Sequence, residues 1–231
     1  MILSGLVDGF RMLLSLDVDV WHPIGVSLRV SLTACVLSAL IALPLGVALG
    51  LGRFRGRHAL RTLVQASMSL PTVLVGLVLY GLLCRQGLLG DLGLLYAIPG
   101  MVLGQAVLAT PIMIGFASSA LEQADPRIQL TALSLGASRW RASLLVAQEH
   151  AAALVAAVAA GFGRVFTEVG AAMLLGGNIR GHTRNITTGI AFETGKGEFA
   201  RGVAMGVVLL IIALGVNLLL AWRQPRVEKA S

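Results

Sequence analysis

Residues 92–121 pass without one charged side chain, thirty positions bounded by Asp91 and Glu122. About 20 apolar residues in a helix suffice to cross the hydrocarbon of a bilayer. A helix that is apolar on every side has no polar face to offer water, so this segment requires lipid or protein around its whole circumference. Residues 30–52, 63–84 and 202–222 repeat the pattern, and 151–177 does so with only Arg164 and Glu168 interrupting it. Across 231 residues the chain is 56% hydrophobic and 13% charged, too few charges to clothe soluble domains of that size. Backbone polar groups inside a bilayer must be satisfied within the segment, and runs of this length achieve that as helices. The expected fold class is therefore all-α: a polytopic membrane protein of about five transmembrane helices.

The formal net charge of +7 could suit nucleic acid, but its placement points to a membrane surface instead. Arg53, Arg55, Arg57 and Arg61 follow the first run, Arg127, Arg139 and Arg141 follow the third, and Arg223, Arg226 and Lys229 follow the fifth. With five spans these segments share one side, and they hold ten of the eighteen Lys and Arg residues. The positive-inside rule makes that side cytoplasmic, with the N-terminus outside and the C-terminus inside. One segment dissents, because 176–201 puts Arg180, Arg184, Lys196 and Arg201 on the outer side.

Residues 1–22 carry apolar Leu3, Leu6, Phe10, Leu13 and Leu14 at helical spacing, with Asp8 and Arg11 opposite. They lack the basic start and small-residue cleavage site of a signal peptide. An amphipathic helix in the outer interface is expected, with Trp21 at headgroup depth. The expected organisation is this segment, a transmembrane domain over 23–222 containing a loop at 125–150, and a cytoplasmic tail over 223–231. Cys35 and Cys84 read as small apolar packing residues. The four histidines are scattered without the spacing of a metal site or catalytic triad. "ETGKGE" around Lys196 is not a nucleotide loop: Ile190 and Gly197 stand where a glycine and a Ser or Thr are needed. No cofactor is expected in this chain, and any ATP and magnesium would be used by another subunit.

The stretch "EQADPRIQLTALSLGASRWRASLLVAQEH" is helix-like but mixed in polarity. Asp125 is a plausible N-cap and Pro126 suits the first helical position. Gly136 interrupts the helix, and Gly136-Ala137-Ser138 forms a compact turn that another surface could approach. Leu130, Leu133, Leu144 and Leu145 are expected to face the bundle, while Arg139, Trp140 and Arg141 project outward. Two readings fit this tip: docking into a groove on a partner, or anchoring among lipid headgroups.

Arg164 and Glu168 are four residues apart and share a helix face. Intramembrane charges usually line a path or a bundle interior, and a register-fixing ion pair fits equally. Pro71 and Pro111 each remove a backbone hydrogen bond, as a gate or an ordinary kink would. The pairs Gly46/Gly50, Gly100/Gly104 and Gly202/Gly206 suit close helix packing, within a subunit or at a dimer seam. On the outer side Arg180, Arg184 and Lys196 stand with Thr183, Thr187, Thr188, Asn178 and Asn185. Such donors suit a tetrahedral dianion, an anionic lipid or an acidic protein surface.

"TALSLGASRWRASLLV" resembles the cytoplasmic coupling loop, or EAA motif, of ABC importer permeases. In that family two alanines precede a glycine, with a hydrophobic residue and a proline about ten and thirteen places after it. Ala132, Gly136, Ala137, Ser138 and Val146 match. Leu130 departs where Glu is usual, and Glu149 departs where Pro is usual. The departures put one polar contact to the ATPase in doubt and predict a smoother run into the fourth span. "SLPTVLVGLVLYGLL", "GQAVLATPIMI" and "GFGRVFTEVGAAMLLGGNIRGHTRNITTGIAFETGKGEFA" resemble the oxyanion branch of these permeases, the last most of all those of tungstate importers, with molybdate permeases close by.

The resemblance covers roughly residues 20–222 and implies a type I importer permease working as a homodimer in the inner membrane. Two ATPase copies would press on the two coupling loops at Ala132, Gly136, Ala137, Ser138, Arg139, Trp140, Arg141 and Val146. Pro71, Thr72, Gln105, Pro111, Arg164 and Glu168 become the candidate path residues. Asn178, Arg180, Thr183, Arg184, Thr187, Thr188 and Lys196 become the outer mouth, or the contact for an extracytoplasmic oxyanion-binding protein. The implied mechanism is alternating access with no bond broken by this chain. The rivals are an ATPase-independent channel or carrier gated at Arg164 and Glu168, and a membrane scaffold without transport.

Overall fold

The protein was analysed as a computed structural model that describes residue 7 and residues 10–223. The described residues form helices and no strand: α1 (Val18–Leu51), α2 (Arg57–Met68), α3 (Thr72–Leu83), a 3-10 turn (Gly90–Leu92), α4 (Ile98–Glu122), α5 (Pro126–Ser134), α6 (Arg139–Glu149), α7 (Ala151–Phe166), α8 (Gly170–Gly176), α9 (Ile186–Gly195) and α10 (Phe199–Arg223). Among them α1, α4 and α10 are long and apolar enough to cross a membrane, and the bent pairs α2–α3 and α6–α7 raise the number to five if each is one span. The all-α, roughly five-span expectation holds.

The boundaries move for physical reasons. α1 starts at Val18, twelve residues ahead of the uncharged run, because Asp17 caps it by accepting from Asp19 N at 2.8 Å. Its 34 residues reach about 51 Å, well beyond a hydrocarbon core of about 30 Å. Trp21 therefore belongs to α1, its Nε1 donating back to Leu13 O at 3.1 Å, and the interfacial segment ends before residue 18. Residues 1–6, 8 and 9, where the rest of that expected helix falls, and 224–231 of the tail lie outside the described residues.

Pro71 does not kink a continuous span. It occupies the N-cap of α3, and the chain bends by 98° between α2 and α3, since a residue before proline is pushed out of helical geometry. Pro111 does sit inside α4, where the Thr110 hydroxyl bonds the Ala106 carbonyl at 2.7 Å. The expected fourth span, 151–177, is likewise two helices, α7 and α8, broken at 167–169.

The core is the α1–α4 pair, with α7 laid across it. Along α1, Ser27, Ser31, Ala34, Ser38, Ala42, Gly46 and Gly50 turn inward beside the larger Val30 and Leu49, and Leu32, Val36, Leu40 and Leu45 turn outward. Small faces let backbones approach where lipid supplies no hydrophobic drive between helices. A Cβ on Gly46 would lie 2.7 Å from Ala117 Cβ, and one on Gly50 would lie 2.8 Å from Leu121 Cβ. Both glycines thus serve packing within the subunit, as does Gly104 against Leu175. Serine hydroxyls add polar ties, Ser38 Oγ to Ala106 O at 3.0 Å and Ser31 Oγ to Gln105 Oε1 at 3.4 Å. Gly46→Leu is expected to lower stability by about 1–3 kcal/mol through overpacking, read as a drop in the detergent-solubilised melting temperature. Gly206→Leu is the control, because a Cβ there meets nothing within 4 Å.

Candidate functional site

Two clusters of polar chemistry sit at opposite ends of α1. At its C-terminal end α5 and α6 form a hairpin. Asp125 caps α5 by accepting from Arg127 N at 2.8 Å, and Pro126 occupies the first turn. Gly136 ends that helix at φ +85°, a left-handed conformation glycine adopts without the penalty of a Cβ. Ala137 N donates to Ala132 O and Gly136 N to Leu133 O, each at 3.0 Å, satisfying carbonyls the helix would leave bare. Ser138 then caps α6 by accepting from Arg141 N at 3.3 Å.

The inner side of the hairpin is small: Ala132, Ala142, Val146 and Ala147 are buried, the last two against Leu121 and the surrounding Val47, Leu51 and Leu154. Leu130, Leu133, Leu144 and Leu145 do not face the bundle as expected; all four are exposed. Alanines set the close approach of α5 to α6, and the bulky leucines are displaced to the outside. With Leu135 83% and Trp140 63% exposed, the tip presents an apolar patch flanked by Arg139 and Arg141. Such a patch suits a groove on a partner or the headgroup layer of the membrane. Among the described residues, nothing beyond its chain neighbours lies within 4 Å of a Cβ on Gly136, so the turn is sterically open.

The hairpin is anchored by charges that sequence reading assigned only to topology. Arg57 donates from Nε to Leu49 O at 2.6 Å and from Nη2 to Gly50 O at 2.9 Å, capping the carbonyl end of α1. Its Nη2 also reaches Glu122 Oε1 at 2.6 Å, and Arg61 bonds the same oxygen. Glu122 thus ties the ends of α1, α2 and α4 together three residues before the Asp125 cap. The partners are 61 and 65 residues apart, beyond the reach of any local pattern.

Midway, the two helix breaks meet. Arg164 and Glu168 do pair, Nη1 to Oε2 at 2.7 Å. Glu168, only 3% exposed, also accepts from Ala171 N at 3.2 Å through Oε1, and its carbonyl accepts from Thr187 Oγ1 at 2.7 Å. It thereby joins the end of α7 to the starts of α8 and α9, which is the register-fixing role. Thr72, at the start of α3, lies beside Gly170. Irregular backbone at membrane depth persists where protein buries it or water reaches it. Gln105 is buried against Ser31 rather than opening on a path. Pro111 lines an apolar groove with Leu63, Val64 and Leu70.

At the N-terminal end of α1 the dissenting cations find acids. Arg180 forks onto Asp19, Nε to Oδ1 at 2.8 Å, and Arg201 approaches the same carboxylate at 3.9 Å. Arg184 meets Glu193 at 2.9 Å in a buried pair, with Lys196 3.7 Å from the other Glu193 oxygen. Phe192 lies under both cations, 4.5 Å from Arg184 Cζ and 5.0 Å from Lys196 Nζ. The expected hydroxyl donors are spent internally. Thr183 bonds Gly176 O and Ile179 N, Thr187 bonds Glu168 O, and Thr188 completes a capping box with Asn185. Asn178 takes a left-handed turn position at φ +50°. Within 176–201, residues 183–189 and Glu193 are buried, while Arg180, Gly181, His182 and residues 194–198 stay exposed. Glu193 was legible as a near neighbour of Arg184; Asp19, 161 residues from Arg180, was not.

A polytopic all-α bundle with a hairpin projecting from one end defines a membrane transport subunit. The chain belongs to the family of binding-protein-dependent transport system inner membrane components, which it matches over residues 42–229. It is an ABC importer permease. It is 37% identical to the tungstate uptake system permease protein of Peptoclostridium acidaminophilum, over 92% of this chain and 95% of the relative. It is 40% identical to the protein of the same description from Campylobacter jejuni subsp. jejuni, over 93% and 92% of the two chains. The molybdenum transport system permease protein of Escherichia coli K12 is 30% identical over 85% of this chain and 91% of its own length.

Proposed function

We propose that this chain carries tungstate inward across the inner membrane as the permease of an ATP-driven importer. The observation that carries the reading is the gradient of identity: 37% and 40% to two tungstate permeases, against 30% to a molybdenum permease and 29% to a sulfate permease. Two copies enclose one path, and an extracytoplasmic binding protein delivers the oxyanion to the end bearing Asp19 and Arg180. An ATPase dimer engages the exposed tip at Ala137, Ser138, Arg139, Trp140 and Arg141, on the cytoplasmic side. ATP and magnesium are handled by those partner subunits, and this chain supplies the path and the lever. Movement of the tip reaches the spans through the Glu122 joint with Arg57 and Arg61, while Thr72 and Arg164, at the meeting helix breaks, border the path.

Elemental mass spectrometry tests the cargo in cells with and without the gene, fed equal trace tungstate and molybdate. A selective tungsten deficit in the deleted strain is expected. A molybdenum deficit instead would move the cargo to molybdate, and equal content of both metals in the two strains would remove tungstate and molybdate as the cargo.

A further inference from the structure

The four cations at the α1 N-terminal end are engaged, but a second cavity beside them is not neutralised. About 370 Å³ in volume, it is lined by His22, Gly25, Val26 and Arg29 of α1, by Ile98 at the start of α4, and by Gly181 and His182 of the turn before α9. We infer that this cavity is a binding site for a tetrahedral oxyanion, held by Arg29, His22 and His182.

Three observations support it. The first is charge. The adjoining cavity of about 470 Å³ shares His22 and Gly181 but contains Asp17 and Asp19 along with Arg180 and Arg184, so an anion there would have to displace carboxylates from their guanidinium partners. The second cavity has an arginine, two histidines and no carboxylate among its lining residues. Arg29 makes no ion pair with any described residue, in contrast to Arg180, Arg184 and Arg201. A cationic recess with apolar walls focuses its field and concentrates counter-ions.

The second is an unmet hydrogen-bonding atom. His22 Nδ1 is buried without a protein partner, and leaving such an atom unsatisfied is unfavourable. His22 lines the cavity, and a turn of its ring that brings a protonated Nδ1 to the cavity would let it donate to an oxyanion oxygen. His22, Gly25, Val26 and Arg29 follow the three- and four-residue spacing that puts side chains on one helix face, so His22 and Arg29 flank a stretch of bare backbone. The third is room. A Cβ on Gly25 or on Gly181 would meet nothing within 4 Å, and Gly181 takes φ +73°, leaving both backbones open to a ligand. The site lies at the outer edge of the membrane, because Arg29 is the last charge before the uncharged run 30–52.

Two sources supply that chemistry at this depth: the transported oxyanion, and the phosphate of a lipid headgroup. The cargo arm rests on the proposed importer function, and the lipid arm does not. The complete transporter, with its ATPase and binding protein, is reconstituted in phosphatidylglycerol-containing liposomes and assayed with tungstate. Wild type is compared with Arg29→Gln, Arg29→Lys, the His22→Gln/His182→Gln pair, and Gly25→Leu, which fills the recess while leaving Arg29, His22 and His182 in place. Bound phospholipid per permease is counted by mass spectrometry on the same samples.

If the cargo occupies the site, tungstate uptake at subsaturating loaded binding protein falls about tenfold in Arg29→Gln and Gly25→Leu, the scale of a lost charge-assisted hydrogen bond. Arg29→Lys recovers part of it, and bound phospholipid is unchanged. If a lipid phosphate occupies it, bound phosphatidylglycerol drops in the same variants and uptake holds. Uptake and bound lipid both within about twofold of wild type, under 0.5 kcal/mol, overturn the site. A wild-type complex that imports no tungstate would instead remove the proposed function, while the lipid count would still decide whether the cavity binds an oxyanion.

Discussion

Gly136→Asp is expected to leave a folded permease that no longer retains its ATPase. The position is at φ +85°, where a Cβ costs about 1–2 kcal/mol. That strain stays local, because among the described residues nothing beyond the chain neighbours lies within 4 Å of the new Cβ and the buried underside of Ala132, Ala142 and Val146 is untouched. The added carboxylate projects into the space a partner must fill, next to the exposed Trp140. ATPase retention in pull-down should fall by more than about tenfold, equivalent to 1.4 kcal/mol, and uptake should fall with it. Replacing Arg139 and Arg141 together by alanine should act in the same direction with no backbone strain at all. A permease that keeps its ATPase and its transport in both variants would refute the coupling role of the hairpin, and would favour headgroup anchoring by Trp140 and its arginines.

Glu193→Ala is expected to be the most destabilising single change at the opposite end, by about 3–5 kcal/mol, the usual cost of leaving one member of a buried pair without the other. Arg184 is 8% and Glu193 4% exposed. Removal of the carboxylate strands a guanidinium whose Nε already lacks a partner, and it frees Lys196 as well. Thermal unfolding in detergent measures the loss. The double variant Arg184→Ala/Glu193→Ala should recover much of it, because no uncompensated charge remains. A double variant as unstable as Glu193→Ala would show that packing around Phe192, rather than charge, holds α9 to its turn.

Much of the working end was legible because its determinants are local. Asp125-Pro126, Gly136 and Ser138 specify cap, turn and cap within fourteen residues, and the structure builds the hairpin from those three signals. The leucines were misassigned for an equally physical reason. A periodicity argument assumes that the apolar face is the buried one, but at a membrane boundary with a docking tip, Leu130, Leu133, Leu144 and Leu145 can be exposed to lipid or partner while alanines set the helix contact. At the other end the composition of 176–201 suggested an open basic mouth. The hydroxyls proved to bond within the subunit, Thr183 and Thr187 donating to the Gly176 and Glu168 carbonyls and Thr188 accepting from Asn185 N, since a short helix with broken neighbours has backbone groups that must be satisfied from within.

By itself the sequence settled the all-α class, the approximate number of spans, the Asp125 cap and the turn at Gly136. These follow from hydrocarbon thickness and from backbone geometry acting over a few residues. Tertiary structure alone decided which face of each span is inside, because hydropathy is nearly uniform around a membrane helix, and the buried face of α1 from Ser27 to Gly50 holds Val30 and Leu49 among its small residues. It alone decided the charge partners as well. Asp19 with Arg180, and Glu122 with Arg57 and Arg61, are joined across long separations in the chain, and such pairs exist only once the packed helices have brought their ends together.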